Sequence, residues 1–447
     1  MSGLGELNNI VGSLAAKLEA RRRAVSLSEN YFDGNHPLPS LRATENIQAA
    51  EIAYRKLLEL SVTNWVKLVA DAPAERLEVI GFKTGDGSGV DPFWDVWQAN
   101  QMDADSHLVH EAALVTGQAF VMVWPDLGGG VSITPEHPSQ MIVEYSAGSQ
   151  RRRRYAMKSW AEGERRLANL FDSHNLWKFE RIKDKWLPRH DAEDWPIVHG
   201  LGDVPVVEFR ANPSLRPAPF GGGRSEMAPV ISIQDRINRT IFQRLLTAEF
   251  SSFPQRWISG IEIDHDDTGA PINPFKSGVQ NTWIAENADT KFGQFAAADL
   301  TNLIAAVESD VQHMAAITKT PPYYLLGQMV NISAEALDAS NAGLIMKTRR
   351  HAAVFGEAWE QVRGLAMKAA GLGSDADLSA ETVWRDIENR TLAQTVDGVL
   401  KMKALGVPNA ELWSRLPDVS PQMVDAWEGQ TVASSLLNGG GDVTTAN

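Results

Sequence analysis

Cysteine is absent from the 447-residue chain, which excludes disulfides, thiolate metal sites and a cysteine nucleophile. Long apolar runs are missing too. Although 43% of the residues are hydrophobic, no run reaches the roughly 18 residues of a membrane-spanning helix. The longest candidate, Ala112 to Trp124, is broken by Thr116, Gly117 and Gln118. The opening residues MSGLGELNN carry neither the basic nor the apolar stretch of a secretory leader, so the expectation is a soluble protein made in the cytoplasm, with no membrane contact. Positive charge is in deficit: 42 Lys and Arg against 56 Asp and Glu leave a net charge of −14. Affinity for a nucleic-acid backbone comes largely from Lys and Arg, so any contact with DNA has to be local or weak. A chain of this length holds about three domains' worth of material.

What is present is organised around the stretch from Asp299 to Gly373. Leu300, Leu303, Ile304, Val307, Val311, Met314 and Ile317 recur at helical spacing, with Glu308, Asp310, Gln312 and Lys319 between them. The run stops at TKTPP (Thr318 to Pro322), because Pro321 and Pro322 offer no amide donor and push the preceding residue out of the α region. A loop to Ile332 follows, holding Tyr323, Tyr324, Gly327, Gln328 and Asn331. Ser333 is a good N-cap and Glu335 suits the first turn of a helix. From there Leu337, Leu344, Ile345, Ala352, Phe355, Trp359, Val362, Ala366 and Ala369 keep helical phase up to Gly371 and Gly373. Such a helix is roughly 55–60 Å long at 1.5 Å per residue. Gly343, Gly356 and Gly364 inside it predict a kink or a close backbone approach.

Before this stretch, Leu4, Leu7, Val11, Leu14 and Leu18 predict a surface helix ending at Arg21, Arg22 and Arg23, and YFDGNHPLP (Tyr31 to Pro39) reads as turn chemistry. A second helix is expected from about Thr44 through Val69, ended by Pro73. RLEVIGF (Arg76 to Phe82) alternates as a strand, and KTGDGSG (Lys83 to Gly89) is a loop. Helices over 93–99 and 106–116 lead to a strand over 119–124. Strands over 131–134, 141–145, 153–160, 176–181 and 204–209 complete an α+β region. The Pro/Gly-rich segment Pro213 to Ser225 marks a domain boundary, and a helix with Val230, Ile233, Ile237, Ile241, Leu245 and Ala248 on one face follows it. Between that helix and Asp299 lies Gln255 to Ala298, with strand-like RWISGIEI (256–263) and NTWIAE (281–286). After Gly373 come short helices capped at Thr391, at Pro408 with Asn409, and at Ser420 with Pro421.

The motifs that could carry chemistry each fall short. DHDDTG (Asp264 to Gly269) begins like a calcium loop but has Thr268 in the fifth place and Phe275 where a bidentate Glu is needed, so it reads as a solvated turn. GGGRSE (Gly221 to Glu226) lacks the lysine of a phosphate-binding loop and reads as a flexible hinge. HLVHE places His107, His110 and Glu111 on one helical face, yet fits neither zinc-protease spacing and reads as a surface cluster. In RRRRY (Arg151 to Tyr155) strand alternation points the arginines to both faces, which suits a guarded sheet edge or an acidic neighbouring subunit better than a DNA contact.

Four stretches, NWVKLVADAPAERLEVIGF (Asn64 to Phe82), HGLGDVPVVEFRANP (His199 to Pro213), TPPYYLLG followed by NISAEAL (up to Leu337), and VWRDIENRT (Val383 to Thr391), occur in an order and spacing that resembles the portal proteins of tailed bacteriophages. The likeness is to the siphophage type, whose hosts are often actinobacteria. The resemblance implies an α+β, portal-like fold with an α+β wing, a helical stem carrying a small β clip insertion, a long kinked helix and a helical crown. On this chain that maps to a wing over 1–224, a stem helix over 225–254, a clip over 255–298, a second stem helix over 299–319, a tunnel loop over 320–332, a long wing helix over 333–373, a crown over 374–437 and a disordered tail over 438–447. It further implies a ring of twelve copies at the capsid vertex of the virion, with double-stranded DNA passing through its channel. Terminase, scaffold or major capsid protein, and a head-tail adaptor would be its partners. No enzymatic activity and no cofactor are implied, and Tyr323, Gln328 and Asn331 would line the channel. Two rival readings are a cytosolic hydrolase or transferase built on His and Asp residues of the α+β region, and a coiled-coil scaffold. The first lacks any motif in its favour, and the second lacks a sustained heptad.

Overall fold

The structure is a computed structural model and describes residues 2–39, 47–83, 91–126, 129–189, 195–215, 222–251, 256–260, 265, 267–269, 289–294, 299–327, 334–372, 380–388, 392–416 and 419–439. The expected strand over 281–286, most of the loop over 83–89, Asp264 and Asp266, the loop residues Gln328 and Asn331, the caps Ser333 and Thr391, and the tail from 440 onward lie outside them. Two compact units are present: Met1–His36, Asn64–Gln234 and Val311–Asn447 form the first, Pro37–Thr63 and Asp235–Asp310 the second.

Helix α1 (Ser2–Phe32) does not stop at its three arginines, as the sequence led us to expect. Its buried row runs Val11, Leu14, Leu18, Arg21, Val25, Ser28, Tyr31, so Arg21 lies on the inner face. The Arg21 guanidinium donates to Gln118 Oε1 (3.0 Å) and to the carbonyls of Pro138 and Met141, and sits 5.1 Å from the Phe120 ring centroid. A buried cation whose two terminal nitrogens are engaged in this way continues the helix where an exposed one would have ended it. The single helix expected up to Pro73 is two: α2 (Ile47–Leu60) and α3 (Trp65–Ala74). The break comes where Asn64 Oδ1 accepts from the Lys67 amide (3.2 Å), an N-cap that restarts the helix, and Pro73 fits within the last turn of α3.

The rest of the first unit follows as β1 (Val79–Lys83), α4 (Phe93–Ala99), α5 (Met102–Thr116), β2 (Gln118–Pro125), β3 (Val131–Glu136), β4 (Met141–Tyr145), β5 (Arg153–Glu162), β6 (Arg165–Phe171), β7 (Asn175–Ile182), β8 (Lys185–Pro188), β9 (Ile197–Val198) and β10 (Val206–Arg210). An antiparallel sheet of order β10-β2-β3 sits beside a second sheet of order β4-β5-β6-β7-β8, with β9 paired to β7. Strand β6 was not expected, because Leu167, Ala168, Leu170 and Phe171 are all buried and a strand covered on both faces shows no alternation. One face of its sheet packs on α1 through Ile142, Met157, Leu170 and Phe179 against Val11, Leu14 and Leu18. Strand β5 is interior, not an edge, and Arg153 reaches Asp203 (2.5 Å) and the Val206 carbonyl instead of solvent.

Chain order continues with α6 (Ile231–Ser251), β11 (Arg256–Ser259), β12 (Lys291–Gln294), α7 (Thr301–Thr318), α8 (Pro322–Leu326), α9 (Ala334–Ala369), β13 (Glu381–Trp384), α10 (Leu392–Ala404), α11 (Asn409–Trp413) and α12 (Pro421–Gly439). Within the second unit, Arg236 on α6 pairs with Asp310 on α7 (2.7 Å), Asn238 accepts from the Thr63 amide and hydroxyl, and β11 pairs with β12. In the first unit α9 is the central rod. Trp359 lies 4.6 Å from Phe209 and 4.9 Å from Trp97, and Phe355, Val362 and Ala366 join the same core beneath β2 and β10. Strand β13, also unforeseen, pairs antiparallel with β1 and lies on α9 at Gly356, whose carbonyl accepts from the Thr382 hydroxyl (3.2 Å).

The Pro/Gly segment does not behave as a free hinge where it is described. Arg224 donates to the Ala211 carbonyl (2.7 Å) and Glu226 to that of Leu114 (2.9 Å), and a Cβ on Gly223 would fall 2.0 Å from the Gly117 oxygen. Gly223→Ala therefore has to displace backbone and should cost about 1–3 kcal/mol, as overpacking does. Thermal denaturation of the variant checks this; an unchanged midpoint would show that the contact is not made.

Candidate functional site

The end of α7, the turn α8 and the start of the described part of α9 are the elements the sequence singled out. Lys319 adopts a left-handed backbone (φ 54°) and Pro321 an extended one, so the chain leaves α7 sharply before Pro322 opens α8 at its first helical position. Three side chains then hold α8. The Tyr323 hydroxyl donates to Asn341 Oδ1 on α9 (2.6 Å), the Tyr324 hydroxyl to Glu75 Oε2 (2.8 Å), and Trp65 Nε1 to the Leu325 carbonyl (2.9 Å). Leu325 is buried beneath them, and Gly327 (φ 64°) lets the chain turn out of α8. Of the three loop residues taken as channel-lining, only Tyr323 is described, and it is half-buried.

Beneath this turn lies a cluster that sequence reasoning missed. The buried carboxylate of Glu226 accepts from His351 Nε2 (2.7 Å), Asn212 Nδ2 (2.6 Å) and Lys347 Nζ (3.1 Å). Lys347 also donates to the Thr318 carbonyl at the end of α7 (2.9 Å), and the buried Thr318 hydroxyl contacts that of Thr320 (3.0 Å). Lys347 and His351 stand one turn apart on α9, so their shared face was visible in the spacing. The carboxylate partner, more than a hundred residues earlier, was not.

Burial alone would raise the Glu226 carboxyl, but the His351 hydrogen bond and the Lys347 charge outweigh it and hold it at about 2. Burial lowers the Lys347 ammonium, with Glu226 opposing part of that shift. The cluster thus exists as a desolvated carboxylate and its donors.

His107, His110 and Glu111 are not a surface cluster. His110 is fully buried in the core of α5 and α9, stacked 5.4 Å from Phe355, while His107 and Glu111 are exposed. Its Nδ1 faces the Leu77 carbonyl (3.1 Å) and must donate, and its Nε2 accepts from Trp359 Nε1 (2.9 Å). Both nitrogens are committed to a neutral ring, whose pKa burial pushes down to about 3. Neither nitrogen is left to hold a metal. Asp267 to Gly269 form an exposed turn.

The body is a mixed helix and sheet fold in which buried charges fasten distant segments together. The comparisons specify its family. Residues 13–433 match the model of the phage portal protein, SPP1 Gp6-like, family. The chain is 30% identical to the portal protein of Mycobacterium phage D29 over 413 residues, covering 88% of this chain and 81% of that one. It is 33% identical to the portal protein of Mycobacterium phage L5 over 367 residues, covering 78% and 73% respectively. A chain from the virion of a native gene transfer agent particle is similar at a TM-score of 0.45 and 13% identity, over 88% of this chain and 100% of that one. The chain belongs to the phage portal protein, SPP1 Gp6-like, family, and is a ring-forming component of the virion at the capsid vertex. Among the described residues no helix is long and apolar enough to cross a membrane.

Glu226→Gln should lower stability at neutral pH by about 3–5 kcal/mol, since removing one partner strands the buried Lys347 charge. Because the carboxyl is held below its ordinary 4.5, its contribution is complete above that pH. It is lost as pH falls towards 2, to a total of roughly 3 kcal/mol at 1.36 kcal/mol per unit. Denaturant unfolding across pH 2–5 checks both. Equal pH profiles for wild type and variant would contradict the cluster.

Proposed function

We propose that twelve copies of this chain close into a ring through which double-stranded DNA is packaged and later released. In this reading the ring also presents docking surfaces to terminase, to the scaffold or major capsid protein, and to a head-tail adaptor. The family match over residues 13–433 carries the proposal. The mechanism is geometric: a heterologous contact between copies closes when its rotation allows, and no residue is assigned a catalytic role or a cofactor. Residues 1–224 and 333–373 would form the wing, 225–254 and 299–319 the stem, 255–298 the clip, 320–332 the tunnel loop and 374–437 the crown.

A channel that passes DNA must release it at every step, and a net charge of −14 suits weak holding. The tunnel loop would leave the anchored turn α8 at Gly327. Tyr323 and Tyr324, committed to Asn341 and Glu75, support a fixed base for it. Gln328 and Asn331, polar but uncharged, would exchange hydrogen bonds with a moving backbone without the counterion release that makes Lys and Arg adhesive.

Purified protein mixed with scaffold should give particles of many subunit masses in mass photometry. A lone monomer peak at micromolar concentration would contradict ring assembly. Replacing Gln328 and Asn331 together by Lys should leave the ring intact but slow or stall packaging, most strongly at low salt. Normal packaging rates across a salt series would remove the loop from the channel.

A further inference from the structure

The face of the β4–β8 sheet opposite α1 is only partly covered. Phe120, Val204 and Val206 pack over Met141, Ala156, Phe171 and Leu176. Beyond them a groove of about 940 Å³ remains, walled by Trp124, Trp160 and Phe171. Strand register sets Lys158 opposite Asn169 and Asn169 opposite Lys178, so the groove floor carries two ammonium groups flanking one amide. At about 4.8 Å per strand the lysine backbones lie about 10 Å apart.

Two features of this floor are incomplete among the described residues. Lys158 is paired with the buried Glu136 (2.7 Å), but among the described residues no carboxylate pairs with Lys178. The side-chain oxygen of Asn169 is buried with no hydrogen-bond partner among the described residues. Val198, on β9 at the rim, is 71% exposed. His199, by contrast, is a satisfied wall residue, donating through Nε2 to the Asp172 carbonyl and accepting at Nδ1 from the Leu201 amide.

We infer that this groove docks an extended acidic segment of another protein, one that alternates carboxylate and apolar side chains. A carboxylate would meet Lys178, and an apolar side chain would enter between Trp160 and Phe171. These two groups recur together within a few residues of an extended chain, whose side chains alternate between its two sides. DNA could stack bases on Trp160, but two lysines offer it few of the phosphate contacts on which its affinity depends.

The test uses full-length protein, assembled and monomeric, and fluorescence anisotropy with a labelled short peptide alternating Glu and Leu. Peptides alternating Gln with Leu and Lys with Leu, and a single-stranded thymidine oligonucleotide, are the comparisons. The expected result is saturable binding of the Glu peptide to both forms, several-fold tighter than any comparison. Lys178→Gln, which keeps the fold, should weaken it about two- to fivefold, the range of one exposed ion pair. Trp160→Ala should weaken it further, with unchanged circular dichroism for both variants. Equal binding of the Glu and Gln peptides, indifference to both variants, or tighter binding of the oligonucleotide would overturn the proposal. Binding by monomer alone would overturn it too, since a second copy would then cover the groove. So would binding that appears only when Asp191, Glu193 and Asp194 are changed to their amides, because the chain's own acidic stretch would then be the occupant.

Discussion

One desolvated carboxylate fastens the first unit's distant segments together. Glu226 sits where the segment after β10 returns to α5, and it takes hydrogen bonds from Asn212 and from Lys347 and His351 on α9. Through Lys347 the same charge reaches the last carbonyl of α7. A buried carboxylate without its donors would cost several kcal/mol, so each segment can occupy its place only if the others occupy theirs. The turn α8 is positioned as a result, since it is tied both to α7 by the chain and to α9 by Tyr323.

Helix α9 supplies the other half of this frame by packing alone. Its apolar face carries Phe355, Trp359, Val362 and Ala366 into the core shared with α5, β2 and β10. The neutral His110 completes that core by linking the Leu77 carbonyl to the Trp359 indole. One rod thus has a greasy half under the sheet and a polar half under the turn. Displacement of the rod would disturb both at once.

Much of this frame was legible in the sequence because it rests on local pattern. The helical phase from Leu337 to Ala369, the proline stop at Pro321 and the alternation in RLEVIGF each reflect a periodicity or a backbone constraint that acts over a few residues. What escaped depends on partners far along the chain. Arg21 looked like a helix end because nothing nearby announces that Pro138 and Met141 will present carbonyls to it. His110 looked like a surface residue for the same reason, its two partners lying on other elements. Strand β6 was hidden by being buried on both faces, and β13 by its brevity. In the candidate site, the prolines marked where the turn carrying Tyr323 begins, whereas Glu226 sat in a glycine-rich stretch that resembled a linker. The four stretches that pointed to the portal family agree with the match over residues 13–433.

The absence of cysteine from the chain makes the central claim directly measurable. A single cysteine introduced at Gln328, labelled with a thiol-reactive photocrosslinker and trapped in particles stalled during packaging, reports what lies beside the loop. The account predicts covalent capture of double-stranded DNA at that position, and little at an exposed control position such as Leu215. Capture of protein alone at Gln328, with labelling as complete as at the control, would contradict it.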